Sequence, residues 1–208
     1  FGPLIADTSH WFLKRRGIAV ALIASGNYFS GAIWPPLFNS ALQSDGWRDV
    51  YGILAIATIF IMIPLSFLLT KKISEETSRA SDAASENRRS SVNISPRMLT
   101  ILLSIAGVGC CVAMSMPQVH IVAFCIDLGY GPAVGAEMLS LMLIGGIVSR
   151  LINGLLADKL GGVYTLLIGS TLQCIALFLY LPSDGLVSLY IVSAVFGLSQ
   201  GGIVPSYA

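Results

Sequence analysis

Arg150 is the residue in this sequence with the most chemistry to account for. It stands inside an apolar stretch, about seven residues and ~10 Å from the nearer polar end. An arginine deep in an apolar helix costs about 2.5–3.5 kcal/mol on membrane-insertion scales. Its planar fork of donors suits a carboxylate gripped through two parallel hydrogen bonds. Gly146, Arg150, Asn153 and Ala157 recur at helical spacing with small or polar character. Leu141, Ile144, Val148, Leu151 and Leu155 form an aliphatic stripe on the opposite side. Arg150 is therefore expected to face protein or a water-filled cavity. Two structural readings stay open beside anion binding: a salt bridge to an acid elsewhere, and snorkelling to the surface.

Other polar residues interrupt the apolar runs. Gln118 and His120 follow Pro117, and His120 shares a helix face with Asp127, ~10 Å further along the axis. A histidine titrates near neutral pH, so His120 and Asp127 are proton-coupling candidates. A histidine merely hydrogen-bonded between helices explains the pattern equally well. Asn27 and Tyr28 interrupt one run, and Tyr190, Ser193, Gly197 and Gln200 share a face of another. These could line a substrate cavity with Arg150, Gln118 and His120, or serve only as interhelical hydrogen bonds. Glu137 lies ~20 Å from Arg150 at helical rise, too far to pair, and reads as an interfacial, snorkelled acid. Cys110, Cys111, Cys125 and Cys174 lack metal-ligand spacing and read as small buried hydrophobes. The sequence implies no metal, no other cofactor and no paired catalytic constellation of an intramembrane enzyme.

The elements that must position these residues follow from composition. The chain is 55% hydrophobic and 11% charged, whereas a soluble domain carries about a quarter charged residues. Its mean hydropathy is +0.79. Such a chain cannot cover itself with polar surface, so lipid is its expected solvent. The net charge of +1 gives no basic patch for nucleic acid. A bilayer core takes about 20 apolar residues per helix. Runs at 17–43, 49–70, 98–125, 133–157, 163–182 and 186–208 meet that length, and residues 1–10 read as the trailing end of an earlier helix. The run 163–181 carries no charge at all, which excludes an amphipathic soluble bundle. Pro35-Pro36 and Pro205 are expected to kink or end their helices.

Residues 71–97, rich in Ser, Glu and Arg, have little to bury and read as a partly disordered linker. The other connections are only a few residues long, which makes consecutive spans antiparallel neighbours. Threading the spans alternately puts Lys14, Arg15, Arg16, Lys71, Lys72, Arg79, Arg88, Arg89, Arg97 and Lys159 on one side, with only Arg48 opposite. That side is the cytoplasm by the positive-inside rule, so 71–97 is cytoplasmic and the Asn93-Ile94-Ser95 sequon is not a glycosylation site. The chain opens without Met and stops inside an apolar run, so both ends read as truncations.

Two stretches carry a family resemblance. Gly154-Leu155-Leu156-Ala157-Asp158-Lys159-Leu160-Gly161-Gly162 closes one span and turns into the next. Gly154 lets two helices approach closely, Asp158 and Lys159 sit where charge is tolerated, and Gly161 permits a tight turn. As residues alone, they fit an ordinary interfacial turn. The order resembles the signature loop of the major facilitator superfamily, with Gly162 in place of the usual final basic residue. The resemblance implies that Gly154, Asp158, Lys159 and Gly161 serve an inner gate. Upstream, Trp11-Phe12-Leu13-Lys14-Arg15-Arg16, then Ile18-Ala19 and small residues to Gly26, resembles the cytoplasmic signature of the monocarboxylate transporters leading into their fifth helix. As residues alone, it is a positive-inside anchor.

Together these imply an all-α membrane protein, carrying helices 5 to 10 of a twelve-helix bundle. Residues 1–70 would end the first half, 71–97 link the halves, and 98–208 begin the second. In monocarboxylate transporters and oxalate/formate exchangers an arginine on the eighth helix is implicated in binding the substrate anion, and Arg150 matches it. The proton-coupled carriers hold an aspartate one turn earlier, where this sequence has Gly146. The expected function is secondary transport of a small organic anion, a monocarboxylate by preference, in the plasma membrane, by proton symport or anion exchange. A drug/proton antiporter and a non-transporting scaffold or receptor are the alternatives. The chain by itself is not expected to transport.

Overall fold

The computed structural model describes residues 2–12, 15–44, 46–68 and 95–201, together with Arg79 and Ala83. The helices are α1 Gly2–Trp11, α2 Arg16–Ser44, α3 Gly46–Leu68, α4 Pro96–Asp127, α5 Pro132–Leu160, α6 Gly162–Tyr180 and α7 Leu186–Gln200. No strand occurs among the described residues. Five stretches are long and apolar enough to cross a membrane: Arg16–Trp34, Gly46–Phe67, Arg97–Asp127, Pro132–Leu160 and Gly162–Tyr180. The sixth expected span is the shorter apolar helix Leu186–Gln200, and its remainder from 202 lies outside the described residues, as does Pro205.

Helix ends follow local chemistry. Ser95 caps α4, its Oγ accepting from the Met98 N–H at 3.3 Å, and Pro96 occupies the first turn, where its missing donor costs nothing. Gly161 has φ +87°, a conformation open to glycine, and lets α6 start one residue after α5 stops. Of the two outcomes expected at Pro35-Pro36, a kink or an end, the second does not occur. α2 does not end at Pro35-Pro36 but runs through both to Ser44. Inside a membrane bundle the carbonyls freed by proline can find other partners, so proline is a weaker stop signal than in water.

α5 is the hub, packing against α2, α4, α6 and α7. Its most extensive neighbour is α2, although the segment 71–97 separates them in sequence. The two helices run antiparallel: Gly17 meets Gly154 and Asp158, Ala24 meets Arg150, Tyr28 meets Gly146, and Gly31 meets Leu143. With Ala21, which also meets Gly154, these α2 positions recur in alternating steps of four and three residues, the spacing of a coiled-coil seam. α7 lies parallel to α5, with Gly197 against Met142 and Gly201 against Gly146 and Ser149. Ile121, Cys125, Met138, Met142, Ala176, Leu189 and Phe196 make the apolar core between α4, α5, α6 and α7. Tyr180 Oη and Ser193 Oγ lie 3.2 Å apart at its edge.

The outer faces are apolar. Ile144, Val148 and Leu155 on α5 are exposed, as the aliphatic stripe requires, and α3 exposes Ile56, Phe60, Ile63 and Phe67. The cysteines need a correction. Cys125 is buried and Cys110 half-buried, but Cys111 and Cys174 are exposed. A lipid-facing surface is as apolar as a core, so an apolar run does not distinguish the two.

Candidate functional site

Arg150 lies near the middle of α5 with 3% of its surface exposed. Its Nη1 donates to the Ala24 carbonyl oxygen of α2. Its guanidinium carbon sits 3.7 Å from the centroid of the Tyr28 ring, a cation–π stack between α2 and α5. The Nε is buried and has no hydrogen-bond partner among the described residues. Snorkelling is thereby excluded for this conformation, and among the described residues no carboxylate pairs with the guanidinium.

Backbone proximity makes this possible. Tyr28, 2% exposed, lies directly on α5 at Gly146, where a Cβ would come 2.5 Å from its Cε2 and 2.6 Å from its Cδ2. The space beside Gly146 is thus filled by an aromatic ring from another helix. Tyr28 Oη donates to Met114 Sδ of α4 at 2.9 Å. Gln118 of α4 donates from Nε2 to Gln200 Oε1 of α7 at 2.7 Å, and Gln200 Nε2 donates to the Met142 carbonyl of α5 at 3.2 Å. Gln200 is fully buried, and a Cβ on Gly146 would come 3.1 Å from its Nε2.

Tyr28, Gln118, Arg150 and Gln200, four of the residues expected to bind substrate, thus come together from four helices. Chemically this is one fixed cation with an unused in-plane donor, one aromatic face and two amides. Asn27 is exposed on α2, outside that cluster. His120 is also apart. It lines a cavity of about 280 Å3 between α4 and α6 with Met116, Pro117, Ile121, Phe124, Leu177 and Tyr180. Asp127 is exposed at the end of α4. Glu137 has a partner that the sequence did not foretell, accepting from Tyr190 Oη at 2.5 Å.

At the other end of the α2–α5 seam, Asp158 reaches across to the start of α2. Its Oδ1 accepts from the Gly17 N–H at 2.7 Å and its Oδ2 from the Ile18 N–H at 3.2 Å. The first N–H groups of a helix have no partner within it and carry partial positive charge, so a carboxylate suits them. Gly17 and Gly154 are the clearance for this contact. A Cβ on Gly17 would lie 2.6 Å from the Gly154 carbonyl, and one on Gly154 would lie 2.6 Å from Ala21 Cβ. Lys159 is exposed beside Asp158, Arg15 is exposed, Arg16 is half-buried, and Lys14 lies outside the described residues.

Sequence reasoning passed over Gly146 as a seat for Tyr28, the Ala24 carbonyl, Met114, and the Gly17 and Ile18 amides. The one available signal was the recurrence of small residues at 17, 21, 24 and 31 opposite Gly146 and Gly154.

This all-helical apolar bundle with a cation buried at its seam belongs to the Major Facilitator Superfamily, whose family model matches residues 3–208. It is an integral, multi-pass membrane protein. It is similar to Monocarboxylate transporter 13 of Rattus norvegicus, 26% identical over 208 residues, covering 99% of this chain and 47% of that protein. The Bos taurus protein of the same name matches to the same extent. MFS-type transporter pytF of Aspergillus terreus is 26% identical over 166 residues, covering 77% of this chain and 53% of that protein. The chain spans about half the length of the curated relatives it matches. No solved structure gives a significant match.

Proposed function

We propose that this chain forms part of a secondary transporter that moves a small organic anion, with a monocarboxylate as the favoured cargo. The observation that carries the reading is Arg150: buried, stacked, and left with an unpartnered Nε among the described residues. A buried guanidinium without a carboxylate gains most from an anion that arrives and leaves. The similarity to proteins named monocarboxylate transporters supports the same cargo. Gln118 and Gln200 would complete the binding site with Tyr28 backing the guanidinium, and His120 or Asp127 would serve proton coupling if the carrier is a symporter.

In this reading α2 and α3 belong to the first half of the carrier and α5 to the second, with 71–97 as the cytoplasmic link in a plasma-membrane protein. The Asp158 contacts to Gly17 and Ile18 would then hold the two halves together on the cytoplasmic side. Opening inward would require that tie to break, and Gly154, Lys159 and Gly161 would serve the same gate.

The test is uptake by the full-length protein in proteoliposomes, using labelled acetate, pyruvate, L-lactate and benzoate with and without a pH gradient. Saturable uptake of a short carboxylate, lost in Arg150→Gln and reduced at least about tenfold in Arg150→Lys, is expected. Uptake unaffected by Arg150→Gln would sink the anion site. Drug efflux by proton antiport is the second reading. It is favoured by similarity to the Agnestins efflux protein AgnL12 of Paecilomyces divaricatus, 26% identical over 97% of this chain. Export of benzoate or bulkier acids with no uptake of the short ones would favour it.

A further inference from the structure

We propose that Tyr28 is the positioning residue of the anion site: its ring, seated on Gly146, holds the Arg150 guanidinium so that the Nε edge meets the cargo carboxylate. This rests on the carrier reading above and names the group that sets the geometry of its site. All donors of a guanidinium lie in its plane, so whatever fixes the plane fixes where an anion can bind. Three contacts fix it here. The ring lies 3.7 Å below the guanidinium carbon, Nη1 is held by the Ala24 carbonyl, and α5 itself backs the ring at Gly146. The ring cannot drift, because a Cβ at 146 would already overlap two of its carbons and its hydroxyl is bonded to Met114 Sδ. Nε is a donor left over, buried and without a partner among the described residues.

Tyr28 acts through Arg150, so the ring matters more than the hydroxyl. Saturation kinetics of full-length protein in proteoliposomes, with labelled pyruvate and L-lactate as probes, separate this role from simple packing. Tyr28→Phe is expected to keep KM within about twofold of the wild type, because the aromatic face remains. Tyr28→Leu is expected to raise KM about tenfold with Vmax little changed, because a misplaced guanidinium binds cargo less well in every state. Should Tyr28→Leu not fold, Tyr28→Met keeps the volume without a ring and is expected to behave the same way. Gly146→Ala, which displaces the ring, is expected to lower the melting temperature and raise KM. Adding Tyr28→Leu to Gly146→Ala should restore the melting temperature but not the affinity.

A wild-type KM in Tyr28→Leu or Tyr28→Met, or a Tyr28→Phe as impaired as they are, would overturn the positioning role alone. Absence of saturable, Arg150-dependent uptake of any probe by the wild type would overturn the carrier reading and this inference with it.

Discussion

At the scale of single residues, Asp158 and Arg150 tie α2 to α5 by opposite means. Asp158 brings a negative charge to the start of α2, while Arg150 brings a positive charge to a backbone carbonyl and a ring deep in the seam. Replacing Asp158 by alanine removes the acceptor for two helix-terminal N–H groups, a loss of about 1–2 kcal/mol by analogy with N-caps. Asp158→Asn keeps one acceptor oxygen and is expected to cost less. Thermal unfolding of the detergent-solubilised protein checks the order wild type, then Asn, then Ala. An alanine variant as stable as the wild type would mean that the tie contributes nothing. Both residues were legible in the sequence as charges out of place, because charge is scarce in an apolar chain. Their partners were not legible. Three of them are backbone groups, which every sequence offers everywhere, and the fourth, Tyr28, stood in the sequence only as one polar interruption among many.

At the scale of elements, the bounds of the first five spans could be read to within about three residues because bilayer thickness sets helix length and charged residues mark the ends. The pairing of α2 with α5 could not, since small residues are common throughout these helices and only some mark a seam. Gly154 and Gly107 make the contrast. A Cβ on Gly154 meets Ala21, Gly17 and Ile18 within 3.1 Å, whereas one on Gly107 meets nothing within 4 Å. Gly154→Ala should therefore push the two helices apart at a cost of about 1–3 kcal/mol, as overpacking does elsewhere. Gly107→Ala should leave the melting temperature unchanged or slightly higher, since alanine is the better helix former. Equal effects of the two substitutions would mean that α2 and α5 do not pack closely at Gly154. Pro35-Pro36 marks the other limit of legibility, because a rule learned from helices in water overstates proline as a stop signal in a bundle.

At the scale of the whole molecule, orientation is the property that the sequence specifies most strongly and that the helices do not display. Ten basic residues share one side by the alternating thread and one lies opposite. The bundle agrees with that thread at one point: Asp158 and Gly17, both assigned to the same side, are within hydrogen-bond distance. Asp184, between α6 and α7, and Arg79, in the segment after α3, should therefore lie on opposite faces of the membrane. Each can be replaced by cysteine in a background where Cys110, Cys111, Cys125 and Cys174 are serine. An impermeant maleimide added to right-side-out vesicles is expected to label the cysteine at 184 and spare the one at 79. Inside-out vesicles should reverse the pattern. Labelling of both from one side would mean that one of the three spans between them, α4, α5 or α6, had been miscounted, and α6 is the first to re-examine, since its 19 residues make it the shortest of the three. The reverse pattern with both positions still on opposite sides would leave the bundle intact and turn it over. The Asp158 tie would then close the outer mouth of the carrier instead of the inner one.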